Sequence, residues 1–173
     1  MTFKEYRKEL KKLKKDMPEI MSRLLLQEGE FAVKQAKLDA TKEPDTVNTG
    51  FYRESFHCGR VGTIDGKKRI RKIHDGTKVY RFGEKYKIDV YNSSDYAQHL
   101  EYGFRSHFVP GEWKGRVFVY DRSAKTGMYV GKPGGYVRGK FHLKHGIDAA
   151  KKTQAPRVAR KLNAILRKRG LQV

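Results

Sequence analysis

A chain of 173 residues with 38% hydrophobic side chains, nine Phe and ten Tyr is long enough for one domain with its own core and short for two. A mean hydropathy of −0.79 is low for a self-sufficient globule but outside the disordered range, and suits a protein that completes its core or its interfaces by assembling with neighbours. The formal net charge of +20 is uneven: residues 1–100 carry 22 basic and 15 acidic side chains and residues 101–173 carry 17 and 4, which points to a polyanionic partner for the second part.

From the start, apolar residues fall at alternating spacings of three and four: Phe3, Tyr6, Leu10, Leu13, Met17, Ile20 and Leu24. That is a heptad seam, which seeks a partner helix. Pro18 interrupts the pattern, and Asp16 with Glu19 three residues later reads as a capping box. The expectation is a short helix over 3–15 and a longer one over 17–40, carrying Ile20, Leu24, Phe31 and Leu38 inward and ending near Pro44.

Residues 54–63 read as a strand holding Cys58, the only cysteine, so the chain forms no internal disulfide; a buried strand thiol in a reducing cytoplasm is expected. Asp65-Gly66 and Asp75-Gly76 mark turns, and Arg69–Ile73, Val79–Phe82 and Tyr86–Val90 read as further strands. No strand–helix–strand alternation suggests a parallel sheet. The fold class is therefore α+β: an antiparallel β-meander packed by the long N-terminal helical segment and a basic C-terminal helix.

Residues 104–140 are the least regular, with seven aromatics among many glycines, eight basic side chains, and Glu112 and Asp121 as acids. Arg116–Tyr120 and Met128–Val130 suggest a hairpin within a long loop. Such a segment has a function or orders on assembly. It is a candidate to clasp a neighbour, burying Trp113 and Phe118, or to place Arg116, Lys125 and Lys132 near the phosphates of a nucleic acid. From about Ile147 a basic amphipathic helix follows, with Pro156 kinking or restarting it and Gly170 ending it. The organisation is a single domain over 1–173: helical segment 1–43, sheet region 44–103, extended loop or hairpin 104–140, C-terminal helix 141–173.

Two short segments carry the most information. The first is Asn48-Thr49-Gly50-Phe51-Tyr52-Arg53-Glu54-Ser55; the second is Val90-Tyr91-Asn92 followed by Tyr96-Ala97-Gln98-His99-Leu100-Glu101-Tyr102-Gly103. Each alone is ordinary local structure, a Gly-permitted turn and an amphipathic helical turn. Together, and in this order, they resemble the neck proteins of tailed bacteriophages, the head–tail joining or tail-completion proteins. The resemblance implies a virion structural protein that forms a ring between a portal-side connector and a tail terminator or tail tube protein. Such a ring keeps the channel continuous for genomic DNA. It also implies structural roles for Asn48, Thr49, Gly50, Arg53, Ser55, Asn92, Tyr96, Ala97, Glu101 and Gly103, with Arg53 pairing a carboxylate or carbonyls. Phe3, Leu10 and Leu13, with Trp113 and Phe118, are the candidate subunit-interface residues. Assembly in the bacterial host cytoplasm is expected, with no membrane association: no apolar run approaches the roughly 20 residues of a spanning helix, and no signal peptide is visible.

Chemistry is not evident. His142 and His145 stand at i, i+3, but no Cys or carboxylate partner has a metal-site spacing. Glu101 with His99 and His107 is the one cluster relevant to acid–base work. Gly131-Lys132-Pro133-Gly134-Gly135 lacks the phosphate-loop spacing. No catalytic residue, metal or cofactor is assigned. The rival readings are a free-standing basic nucleic-acid-binding module and a small basic nuclease or toxin.

Overall fold

The computed structural model describes residues 2–42, 50–59, 61–64, 69–72 and 79–171, with 61–64 and 69–72 described by their backbone alone. Asn48, Thr49, Pro44 and the Asp65-Gly66 and Asp75-Gly76 turns lie outside the described residues. The chain falls into two compact units, residues 1–95 with 142–173 and residues 96–141.

Helix α1 (Phe3–Thr41) opens the first unit. The Thr2 hydroxyl accepts from the Glu5 amide and the Glu5 carboxylate accepts from the Thr2 amide at 2.7 Å, a reciprocal cap. The break expected at Pro18 does not occur, and Asp16 is no cap: it accepts from Arg169 at 2.7 Å. Packing on both sides of the proline holds the helix through it. Leu13, Met17, Ile20, Met21 and Leu24 pack with Val158, Leu162, Ile165, Leu166 and Leu171. Further along, the inward face is Glu28, Gly29, Ala32, Ala36 and Ala40; Leu38, expected inside, is exposed.

The C-terminal region is two helices, α4 (His142–Lys152) and α5 (Gln154–Lys168), broken at Thr153. Pro156 falls in the first turn of α5, where its missing N–H breaks no helical bond. Gly170, at φ +71°, follows the helix end as expected. Small residues set the distance between α1 and α4: a Cβ on Gly146 would lie 2.6 Å from the Ala36 amide nitrogen and 2.7 Å from its Cβ. The α1–α5 pairing is polar at one end. Arg157 donates to both carboxylate oxygens of buried Glu28, with its guanidinium 3.8 Å from the Phe31 ring centroid, and Lys161 stands 3.7 Å from Glu28.

A helical turn, α2 (Phe51–Glu54), replaces the first residues of the expected 54–63 strand. Strand β1 (Phe56–Gly59) follows, then the hairpins β2 (Val61–Ile64)/β3 (Arg69–Lys72) and β4 (Tyr80–Phe82)/β5 (Lys85–Lys87), and then β6 (Asp89–Asn92). All pairings are antiparallel, as expected for the α+β class, but they nest: β6 pairs back with β1, Phe56 opposite Asn92, enclosing both hairpins. Cys58 in β1 is half-buried rather than fully buried. These strands approach α1 at Gly29, where a Cβ would lie 2.8 Å from Ile88 Cδ1 and 3.2 Å from Cys58 Cβ.

The second unit holds α3 (Ala97–Tyr102), β7 (Gly103–Arg105), β8 (His107–Lys114), β9 (Val117–Tyr120), β10 (Gly127–Val130) and β11 (Tyr136–Arg138). Residues 104–140 are thus more regular than their glycine content suggests. The expected hairpin of 116–120 with 128–130 does not form: β9 and β10 flank β8 instead, and β11 pairs β7. Pro110 and Gly111 hide β8 in the sequence. They sit where its partner changes, Pro110 opposite Gly127 of β10 and Gly111 opposite Tyr120 of β9.

Removing one partner of the buried Glu28–Arg157 pair, as in Arg157→Ala, is expected to destabilise the chain by about 3–5 kcal/mol in urea unfolding. Replacing both with Met should recover most of that loss, because the uncompensated charge is what is costly.

Candidate functional site

In the first unit, the two informative segments, about 40 residues apart in sequence, are joined by one side chain. Gly50 adopts φ +71° and opens α2 in a conformation that β-carbon residues rarely hold. The turn then delivers Tyr52 inward, 1% exposed, against Phe56 at 4.9 Å between ring centroids and His142 at 5.9 Å. Buried Asn92 donates its amide to the Tyr52 carbonyl at 2.8 Å, and its side-chain oxygen accepts from the Ser94 amide at 2.9 Å. Ser55 adds a second tie: its hydroxyl donates to the Phe51 carbonyl at 2.7 Å and its carbonyl accepts from the Ser93 amide at 2.9 Å. An amide side chain supplies a donor and an acceptor on separate atoms, which suits Asn to the end of β6.

Arg53 donates to its neighbour Glu54 at 3.1 Å, and Lys37 of α1 reaches the same carboxylate at 2.9 Å. These two cations, Lys37 foremost, hold the Glu54 carboxyl below its ordinary range. The pairing lies at the surface and ties α2 to α1.

Tyr96, Ala97, Glu101 and Gly103 belong to the second unit, so the longer segment crosses the boundary between units. Tyr96 precedes α3, Ala97 is its first residue, and Glu101 is buried in its last turn. Gly103 has φ +84°, and a Cβ there would overlap the Val137 carbonyl; one on Gly139 would overlap the Glu101 carbonyl. The Leu100 and Glu101 carbonyls accept from Lys140 and Phe141 at 2.7 and 3.2 Å, so the chain enters and leaves this unit side by side. Gly103 is there because two backbones cross with no room for a side chain.

The candidate interface residues part company. Leu13 is buried against α5 within its own chain and so is not open to a neighbour, whereas Phe3 is 84% exposed and Leu10 is exposed. In the second unit Trp113 packs edge-on against Phe118 at 5.4 Å, with Trp113 60% exposed and Phe118 half-buried. Phe108 and Tyr129 form a second exposed pair across β8 and β10. Arg116, Lys125 and Lys132 are all exposed, Arg116 in the two-residue Gly115-Arg116 turn between β8 and β9. His99 and His107 both pack on Phe104. Among the described residues no group of three or more His, Cys, Asp or Glu is placed to hold a metal.

One polar cluster was not legible in the sequence. Asp39 of α1 accepts from Nδ1 of His142 at 3.0 Å and of His145 at 2.8 Å, with Lys42 at 3.8 Å. His142 and His145 do share a helical face, but their partner lies more than a hundred residues away and they serve packing of α4 on α1. Burial pushes the Asp39 carboxyl up, yet the two imidazole hydrogen bonds outweigh it and leave the pKa below the ordinary 3.8.

Two outcomes follow. Asn92→Ala should cost about 1–3 kcal/mol, because the buried Tyr52 carbonyl loses one of its donors and the Ser94 amide loses its acceptor; urea unfolding measures it. Because the folded-state pKa of Asp39 is depressed, its stabilising contribution is present above the ordinary pKa of 3.8 and is lost as pH falls through the folded value. Asp39→Asn should therefore lower Tm at pH 7 and converge on the parent in acid, as a melting series across pH 2–7 on the order of half-unit steps would show.

No curated protein and no solved structure matches the chain. A family described as "Bacteriophage HK97-gp10, putative tail-component" matches residues 4–103, which covers α1 through α3 and both informative segments. The chain belongs to this HK97-gp10-like family of bacteriophage tail components.

Proposed function

We propose that this tail component is a ring-forming subunit of the neck, seated between the portal-side connector and the tail terminator or tail tube, and that it works by assembly rather than by catalysis. It assembles in the host cytoplasm and keeps the channel continuous for genomic DNA. Family membership supports the tail, and the exposed apolar surface of the second unit carries the rest. Trp113, Val117 and Tyr120 are 60%, 65% and 62% exposed on one three-stranded sheet, with Phe108 and Tyr129 also exposed. By register Trp113, Phe118 and Tyr120 share one face of the β8–β9 pair and Val117 lies on the other, and large apolar side chains left in water in this way mark interaction surfaces. The sheet is suited to clasping a neighbouring virion protein, with Trp113 as the anchor, since a buried aromatic at the centre of an interface typically dominates its affinity.

A second role for the same segment rests on Arg116, Lys125 and Lys132, all exposed and without an ionic partner among the described residues. They suit weak, sequence-independent attraction to phosphates in the channel. A free-standing nucleic-acid-binding module would use the same cations without needing Trp113.

Trp113→Asp, at an exposed position, should leave the subunit folded while reducing its incorporation into particles at least roughly tenfold, the penalty of losing one large interface aromatic. Quantitative immunoblotting of purified virions measures this. Parental incorporation by that variant would remove the clasp. Absence of the wild-type protein from virions would remove the neck assignment itself.

A further inference from the structure

One end of α1 carries a stripe of apolar side chains that reaches solvent. Phe3, Tyr6 and Leu10 are exposed, while the next residue of the same heptad seam, Leu13, is already buried against α5. The first unit also holds an open furrow. A hollow of about 600 Å³ is lined by Met21, Leu25, Tyr86, Val158 and Ala159, with Glu84 and Lys151 at its edge. A second hollow of about 330 Å³ shares Leu25 and Tyr86 and continues it past Gly29 and Ile88. The stripe leaves apolar surface in water, and the furrow has apolar walls.

We infer that the Phe3–Tyr6–Leu10 stripe of one copy seats in this furrow on a second copy, a head-to-tail contact. The inference rests on the ring reading above and names the surfaces that would make the ring. Three physical facts carry it. The stripe cannot reach the furrow of its own chain, because Tyr6 and Met21 are held about 22 Å apart on one unbroken helix. Stripe-to-stripe pairing of two copies is opposed by charge: residues 3–15 hold seven Lys and Arg against two Glu. The furrow, by contrast, is close to neutral in a chain of net charge +20. Glu28 is already held by Arg157 and Lys161, and Lys87 stands 3.8 Å from Asp89, which leaves exposed Glu84 to set against Lys151.

A contact between two different patches of identical chains is heterologous, and each copy presents one of each. Such contacts propagate and close into a ring when the rotation between copies allows. An isologous stripe-to-stripe contact would stop at a dimer.

Mixing two variants tests this. Phe3→Asp with Leu10→Asp disables the stripe, and Glu84→Lys with Ala159→Lys disables the furrow; all four positions are exposed, so both variants should melt like the parent. Sedimentation velocity and native mass spectrometry on the full chain should show the parent self-associating. Each variant alone should associate at least roughly tenfold more weakly, from the loss of one or more buried apolar side chains. An equimolar mixture should form a one-to-one heterodimer and nothing larger, since only one intact stripe and one intact furrow remain between the two variants. Parental self-association by either folded variant, or no heterodimer in the mixture, overturns the inference and leaves the ring reading standing. A parent that stays monomeric at every concentration overturns both.

Discussion

Helix α1 is the element on which the first unit is built, and its continuity is the governing constraint. Its 39 residues make a rod roughly 58 Å long. Helices α2, α4 and α5 and strands β1, β5 and β6 pack along it, at positions graded by side-chain size. Leu13, Ile20 and Leu24 present bulk to α5. Gly29 lets the strands come close, and Ala32, Ala36 and Ala40 bring α4 in until Gly146 meets the α1 backbone. A break at Pro18 would dissolve this arrangement. The apolar contacts flanking the proline lie on one face with α5 across them, and together they outweigh the roughly 3 kcal/mol that an interior proline costs.

The two informative segments owe their residue types to a second constraint, the nesting of strands. Pairing β1 with β6 places Phe56 beside Asn92, and Asn92 makes the join specific by bonding Tyr52, 40 residues before it, on one side and Ser94 on the other. The Glu-x-Gly that follows has a different cause. Gly103 allows two backbones to cross where the chain enters and leaves the second unit. These are assembly-independent reasons for the motif, so a tail component needs them to fold before it meets any partner.

The charge is less free than its total suggests. Arg157, Lys161 and Arg169, three of the nine cations over residues 142–169, are engaged with Glu28 and Asp16 of α1. Lys151, Lys152, Arg160, Arg167 and Lys168 remain exposed. The basic C-terminal region therefore does two jobs: part of it is structural glue for α1, and part offers a positive face to acidic partners or phosphates.

What the sequence alone determined was local or came by resemblance. The apolar seam from Phe3 to Leu24 marked a helix, Gly170 marked its partner's end, and the antiparallel α+β class followed from the strands and turns. The order of the two segments identified a tail component. What failed was contextual. Pro18 reads as a stop and the glycine-rich residues 104–140 as a long loop, because a single residue's cost is visible in sequence while the packing that offsets it is not. The turns Gly83-Glu84 and Gly115-Arg116, with glycine at positive φ in the first position, carry a recognisable hairpin signal that Asp-Gly pairs overshadowed. Only the tertiary structure decided that Leu13 is core while Leu10 is surface, that Asp39 meets His142 and His145, and that Glu28 meets Arg157. Those outcomes depend on where α4 and α5 land on α1 more than a hundred residues away, and local spacing does not encode that register.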